Sequence, residues 1–190
     1  MVEAPVKQLL IQQLVFKAGV VSMAVKKLKQ EGKQKDPLLL DPHSKYYKNI
    51  DLYAINTYAI YPCFKCRDPF IGGKVSCERE AEMNNQNNGE AFKPEDYVCM
   101  KCSDIKKCVY HGTEGMIFKC RFCCNLSVWF CFGNTHFCDQ CHSKQVGNRQ
   151  YAVTKELWTH CQGGDRCPVG QKHPEPGTEF SVGCELCLGK

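Results

Sequence analysis

The chain lacks the features that direct a protein into or across a membrane. Residues 1–35 have lysines scattered throughout, no uninterrupted apolar segment and no small-residue cleavage site, so they do not resemble a secretory signal. No stretch approaches the roughly 20 consecutive apolar residues of a membrane-spanning helix. We therefore expect an intracellular protein, cytoplasmic or nuclear, whose thiols stay reduced.

The cysteine-rich part of the chain also lacks a clustered basic stripe. The formal net charge is +5 when cysteines are counted as neutral. If fourteen cysteines bind four Zn²⁺ ions as thiolates, they add 14 negative charges and the ions add 8 positive ones, which brings the net charge to −1. A nucleic-acid-binding zinc protein is therefore the least favoured class, and we expect no nucleic-acid partner.

Cysteine, by contrast, is abundant, with 16 residues in a chain of 190. This content is typical either of a disulfide framework or of metal sites. Reduced thiols and repeated Cys-x-x-Cys and Cys-x-x-His spacings favour zinc, because such a turn directs two ligands at one point. The close pairs are Cys63/Cys66, Cys99/Cys102, Cys108/His111, Cys120/Cys123, Cys138/Cys141 and Cys184/Cys187.

Those twelve ligands fill three tetrahedral sites, and Cys161, Cys167 and His173 begin a fourth. The nearest candidates for its missing ligand are Cys124, His136 and His160, of which we favour Cys124. Spacing does not reveal how the pairs combine into sites. The sequence predicts about four zinc ions and a fold that depends on metal more than on a large core.

The rest of the chain completes a coarse domain plan. Apolar residues recur every three or four positions from Val6 to Leu28, which predicts an amphipathic helix within residues 1–32, packed on its own domain or on a neighbouring one. Residues 33–60 are predicted to be a linker, and residues 61–190 a zinc-binding domain. The predicted fold class is a small α+β or irregular zinc-braced domain preceded by the helix, and we expect a monomer.

Cys77 and Cys131 fall outside this ligand count. Cys77 precedes an Asn/Gln-rich tract without apolar periodicity, so residues 76–93 are predicted to form a long mobile loop. Cys131 lies between two Cys-x-x-Cys pairs, in an aromatic segment eleven residues before His142. Cys131 is either a small buried hydrophobe or a nucleophile served by that histidine. Spacing alone only mildly favours the nucleophile.

The segments FKCRDPFIGGKVSC, VCMKCSD, HGTEGMIFKCRFCC, WFCFGNTHFCDQCH and GTEFSVGCELC resemble the C-terminal tandem-cysteine domain of the Pam/Highwire family of ubiquitin ligases, the RING-Cys-relay type. Residues 5–60 resemble, more weakly, the helix and linker that precede this domain in the family.

The resemblance implies a ubiquitin transferase with ubiquitin, a ubiquitin-conjugating enzyme and a hydroxyl-bearing substrate as partners. Cys77 corresponds to the family's mediator-loop cysteine, which receives ubiquitin and relays it to the residue matching Cys131. Transfer to a threonine or serine hydroxyl follows, with His142 matching the general base. The resemblance also matches Phe132 and Phe137 to aromatic residues that receive the threonine side chain, or both are simply core. Asp96 falls where the family has a glutamate near the ester-forming site.

No cysteine precedes Cys63, so residues 1–190 contain no RING, the module that recruits the charged conjugating enzyme in the family. Either the chain is a fragment that begins after the RING, which we favour, or the RING is supplied elsewhere. The alternative to a transferase is a zinc-braced interaction module without chemistry.

Overall fold

The computed structural model describes residues 3–77, 79, 93–147 and 154–189. It confirms the predicted small α+β class with an N-terminal helix. Three antiparallel sheets of two strands each are joined by irregular segments rich in cysteine. Within the described residues, no helix is long and apolar enough to cross a membrane.

The N-terminal helix, α1 (Glu3–Gln30), is 28 residues long and ends just before Gly32, which has a left-handed φ of 71°. Among the side chains that the structure describes on this helix, those covered by the rest of the domain lie in its C-terminal half. Ala24 and Leu28 are fully buried against Ala54 and neighbouring residues, whereas Leu14 is 65 % exposed. The helix is therefore anchored through its last turns.

Residues 33–57, within the predicted linker, form short helical elements. Helix α2 (Pro37–Leu40) is capped by the Asp36 side chain, which accepts from the Leu38 N–H at 3.0 Å and from the Tyr53 hydroxyl at 2.7 Å. Helix α3 (Ile50–Thr57) packs on α1 and leads directly into the first strand. The domain boundaries at residues 32 and 60 remain a prediction.

The first sheet brings the segment before Cys77 close to the segment that carries Cys131. Strand β1 (Tyr58–Pro62) pairs with β2 (Pro69–Lys74). A side chain at Gly72 would lie 2.6 Å from the Gly133 Cα atom, and one at Gly73 would lie 3.0 Å from the Cys131 Cα atom. Both glycines lie in β2. Because they lack side chains, the backbone of β2 can lie close to the backbone around Cys131.

The other two sheets frame the cysteine-rich region. Strand β3 (Met116–Lys119) pairs with β6 (Phe180–Cys184), while β4 (Trp129–Cys131) and β5 (Thr135–Phe137) form a hairpin. Helix α4 (Asp139–Gly147) follows the hairpin, and the short helix α5 (Glu185–Leu188) follows β6. The sheets thus bring together cysteines distant in sequence. The predicted loop, residues 76–93, lies mostly outside the described residues.

Candidate functional site

All sixteen predicted zinc ligands lie in four groups of four, within which the ligand atoms are at most 4.8 Å apart. These four-ligand groups are Cys63/Cys66/Cys99/Cys102, Cys108/His111/Cys184/Cys187, Cys120/Cys123/Cys138/Cys141 and Cys124/Cys161/Cys167/His173. Cys124 lies in the fourth group, as favoured from the sequence. The two alternative candidates lie beside carboxylates instead. His136 Nδ1 is 2.5 Å from Glu179 Oε2, and His160 Nδ1 is 3.6 Å from Glu175 Oε2.

The donor geometry of the four-ligand groups fits zinc. The Sγ atoms of Cys66 and Cys99 are 3.8 Å apart, and those of Cys123 and Cys138 are 3.6 Å apart. Zinc–sulfur bonds of about 2.3 Å in a tetrahedron require sulfurs about 3.8 Å apart. The chemistry and the spacing of these donors therefore match a structural zinc site.

Backbone and side-chain contacts around the ligands also favour metal binding. The Cys99 N–H donates to Cys63 Sγ at 3.3 Å, which stabilises a thiolate. His173 places Nε2 3.1 Å from Cys167 Sγ, while its Nδ1 lies 2.8 Å from the carbonyl of Pro174. A hydrogen bond from Nδ1 to that carbonyl leaves Nε2 available as a ligand, the usual arrangement of zinc-bound histidines.

Lys119 is a buried cation that the sequence analysis did not identify. Its side chain is fully buried, and Nζ donates to the carbonyl oxygens of Cys120 at 2.8 Å and Cys123 at 3.2 Å. Four thiolates around one Zn²⁺ leave a net charge of −2, which a neighbouring ammonium group partly offsets. A lone lysine in an otherwise apolar strand was the available sequence signal.

Cys77, Cys131 and His142 form a fifth cluster, which we name the thiol–imidazole cluster. The two sulfurs and a ring nitrogen of His142 all lie within 4.8 Å of one another. Both cysteines are buried, with exposures of 4 % and 1 %. The structure thus brings together the two cysteines outside the ligand count and the histidine expected to serve them.

Three structural elements position the thiol–imidazole cluster. Cys77 follows β2 in a short helical segment, Cys131 ends β4, and His142 lies in the first turns of α4. The turn after Cys131 holds Phe132 at a φ of 58°, a left-handed conformation that is uncommon for a bulky residue and is often found at functional sites.

Aromatic side chains fix the His142 ring. Trp129 stacks on it with centroids 4.4 Å apart and planes 11° apart, while Phe137 meets it edge-on at 5.8 Å. Trp129 is itself held by a hydrogen bond from Nε1 to Asp139 Oδ1 at 2.7 Å, and the Lys74 ammonium lies 4.9 Å from its ring centroid. The Nε2 atom of His142 is buried and has no hydrogen-bond partner among the described residues.

The environment of Cys77 favours its thiolate. Hydrogen bonding to Cys131 is the main cause that lowers the pKa of Cys77, to about 4. Burial opposes this shift, while a hydrogen bond to His142 and the electrostatic effect of the imidazole add to it. A thiolate is the reactive form of cysteine. The cluster therefore combines an ionised sulfur, a second sulfur and an imidazole in a buried site.

The residues expected to bind substrate lie in different surroundings. Phe132 and Phe137 are buried in the same apolar cluster as the two cysteines, with ring centroids 6.1 Å apart. Asp96 is exposed at the end of a short 3₁₀ helix, where its side chain accepts from the Lys93 N–H, and it is not a member of the thiol–imidazole cluster. The adjacent Tyr97 ring stacks on Tyr61.

The chain is similar to two curated proteins over most of its length. It is 36 % identical over 175 residues to the E3 ubiquitin-protein ligase MYCBP2 of Danio rerio, which covers 86 % of this chain and 4 % of that protein. It is 38 % identical over 183 residues to the E3 ubiquitin-protein ligase highwire of Drosophila melanogaster, covering 90 % and 3 % respectively. The chain thus spans a small part of these relatives. No family model matches it.

Proposed function

Because this chain is a relative of the Pam/Highwire E3 ubiquitin ligases, as its motifs predicted, we propose that it transfers ubiquitin from a conjugating enzyme to a hydroxyl group by a two-cysteine relay. The observation that carries this proposal is the convergence of Cys77, Cys131 and His142 within 4.8 Å, outside the four-ligand groups. Two thiols and an imidazole are the groups that thioester exchange and ester formation require.

Cys77 is the first acceptor of ubiquitin in this mechanism. Its thiolate attacks the thioester carbonyl that joins ubiquitin to the conjugating enzyme, and the thiolate of that enzyme leaves. Since Cys77 is 4 % exposed in the structure, it has to become exposed to react with a bulky partner and then return to Cys131. The predicted mobile loop of residues 76–93 would supply that movement.

Cys131 takes ubiquitin from Cys77 by a second thioester exchange. As a thiolate, its sulfur attacks the same carbonyl carbon, and the Cys77 thiolate leaves. The two thioesters are similar in free energy. The exchange therefore depends more on the proximity of Cys77 to Cys131 than on a difference in thioester stability.

His142 is the general base of the last step. It removes the proton from a threonine or serine hydroxyl as the oxygen attacks the Cys131 thioester, and the Cys131 thiolate leaves. The buried and unpartnered Nε2 atom supports this role, since it is available to accept that proton. The stacked Trp129 ring holds the imidazole in one orientation, which reduces the entropy lost on reaching the transition state.

Phe132 and Phe137 are proposed to receive the methyl group of threonine. Their position beside the two cysteines in one apolar cluster supports this role. Asp96 is proposed to contact the substrate from the exposed edge of the site. Its neighbour Tyr97 packs its ring close to Gly133, in the turn of the β4–β5 hairpin. The Lys93–Asp96 hydrogen bond would have to open for its carboxylate to reach inward.

The four-ligand groups are proposed to bind four structural zinc ions. When bound, zinc contributes folding energy, on the order of 10–16 kcal/mol per site in small peptides. The group of Cys120, Cys123, Cys138 and Cys141 lies on both sides of the hairpin β4–β5, so metal there would fix Cys131 and His142 relative to each other.

The test uses a ubiquitin-charged conjugating enzyme, this chain and free threonine, with products identified by intact mass. We expect a ubiquitin–threonine ester in the wild type and none in Cys77→Ser or Cys131→Ser. His142→Ala should form the Cys131 thioester but esterify threonine slowly.

A companion reaction uses the chain with a RING module fused to its N-terminus. Ester formation only in the fusion would mean that the relay depends on an added recruitment module. Ester formation that persists in either cysteine variant would contradict the relay. Absence of product from both proteins would favour an interaction module without chemistry.

A further inference from the structure

The thiol–imidazole cluster has the composition of a metal site. Two cysteine sulfurs and one imidazole nitrogen form a donor set that zinc prefers, and their separations are within the 4.8 Å found in the four-ligand groups. A bound Zn²⁺ ion needs sulfurs about 3.8 Å apart, so the ligands would have to move by about 1 Å or less. The site is already close to the required geometry.

A second observation points to a ligand at this position. The Nε2 atom of His142 is buried without a hydrogen-bond partner among the described residues, and such atoms are rare because an unsatisfied buried polar group costs stability. A cation held through Nε2 would give that nitrogen the partner it lacks among the described residues.

We propose that Cys77, Cys131 and His142 together bind one Zn²⁺ ion, and that this ion reversibly blocks the ubiquitin relay. The binding site stands on the geometry of the cluster, whereas the inhibition rests on the function proposed above. Binding displaces the proton of any thiol still protonated and occupies both sulfurs and the imidazole. Neither sulfur can then attack a thioester carbonyl until the metal leaves.

This ion should be held more weakly than those of the four-ligand groups. Three protein ligands leave one coordination position open, which water or another small ligand fills, whereas structural zinc sites have four protein ligands. Moreover, Cys77 has to leave the cluster during the relay, so its movement would remove one ligand. The zinc in the cluster should therefore exchange first, and the relay should respond to free zinc without unfolding of the domain.

The first experiment counts zinc ions by native mass spectrometry in the presence of a phosphine reductant. The fully loaded wild type should carry five ions, while Cys77→Ser, Cys131→Ser and His142→Ala should each carry four. A moderate chelator should then remove one ion from the wild type and none from the variants. Because ubiquitin is absent, the result does not depend on transferase activity.

The matched control variant is His160→Ala, which removes a largely exposed histidine that belongs to none of these metal-binding groups. It should carry five ions, of which the moderate chelator should remove one. A wild type that stops at four ions, or cluster variants that bind as many as the wild type, would overturn the proposed site. A fifth ion that resists the chelator as strongly as the other four would overturn its reversibility.

The second experiment follows alkylation of Cys77 by iodoacetamide, with the modified peptide identified by mass. One added equivalent of Zn²⁺ above four should slow this reaction at least tenfold, and the chelator should restore it. The same equivalent should suppress threonine esterification. An unchanged alkylation rate would contradict zinc binding at Cys77. Protection from alkylation in a protein that never forms ester would retain the metal site and reject the transferase function.

Discussion

Two neighbouring clusters in one apolar core differ in how completely their ligand atoms enclose a central position. The group of Cys120, Cys123, Cys138 and Cys141 has four sulfurs, all on buried residues, and Lys119 lies beside it. The thiol–imidazole cluster has three donors and an unpartnered buried nitrogen. Structural zinc sites have four protein ligands, whereas the thiol–imidazole cluster offers three. If the proposed function is right, similar residues serve stability where a fourth ligand closes the group and chemistry where it is missing.

The strongest test of this comparison substitutes one sulfur in each cluster. Cys138→Ser should lose its zinc and fail to fold, because a structural site contributes on the order of 10–16 kcal/mol, about the whole stability of a typical domain. Cys131→Ser should keep four zinc ions and unfold cooperatively at a similar temperature, yet form no ubiquitin ester. Zinc content and thermal unfolding measure the first effect, and intact mass measures the second. Loss of folding in both variants would remove the distinction.

The next largest effect should come from the imidazole. His142→Gln keeps a polar side chain but removes the proposed general base, so threonine esterification should fall by about 10²–10⁴-fold. Transfer of ubiquitin onto Cys131 should continue, and the Cys131 thioester should therefore accumulate. Single-turnover assays resolved by reducing and non-reducing gels separate the two steps. If thioester formation on Cys131 and threonine esterification slow equally, His142 has a structural role and is not the general base.

Local patterns predicted which side chains lie in groups better than they predicted how the pairs combine. The Cys-x-x-Cys and Cys-x-x-His turns are short enough that sequence spacing fixes which atoms point together, and all sixteen selected side chains lie in the four-ligand groups. The pairing of Cys108 with Cys184, 76 positions away in sequence, depends on the β3–β6 ladder and could not be obtained from spacing.

The thiol–imidazole cluster shows the same limit. Cys77 was selected as a residue outside the ligand count, but nothing in the sequence placed it beside Cys131. That contact depends on β2 packing against β4, which Gly72 and Gly73 permit by lacking side chains. Neither glycine was predicted to have a structural role. Trp129 and Lys119 were missed because their roles consist of contacts made in the folded chain.

The pH dependence of thiol reactivity should sharpen the comparison further. The folded-state pKa of Cys77 is lowered to about 4, below an ordinary cysteine near 8.5. Its alkylation rate should therefore be nearly constant from about pH 5.5 to 8.5, whereas an ordinary thiol gains about tenfold per pH unit below its pKa. In Cys131→Ser, which removes the main cause of the lowered pKa, the rate should rise with pH. Peptide mass spectrometry at several pH values gives both profiles.

The same pKa has a consequence for stability. A thiol whose pKa is lower in the folded state contributes stability that is fully present above the pKa of the unfolded chain and is lost as the pH falls through about 4.

A rising alkylation profile in the wild type, with a midpoint near 8.5, would contradict the thiolate assignment and leave Cys77 as an ordinary buried thiol.

The smallest effect should come from Trp129, which positions the base without contacting the reacting atoms. Trp129→Leu removes the ring stacked on His142, an interaction worth about 0.5–1.5 kcal/mol, so esterification should slow by up to about tenfold. Thioester transfer from Cys77 to Cys131 should be unaffected. Trp158→Leu is the matched control, because Trp158 packs against the same apolar cluster through Phe122, at 5.1 Å. If both variants slow esterification equally, the Trp129 effect is general destabilisation. If esterification slows only in Trp129→Leu and its pH profile shifts, the thiol–imidazole cluster depends on an ordered imidazole, just as the four-ligand groups are proposed to depend on metal.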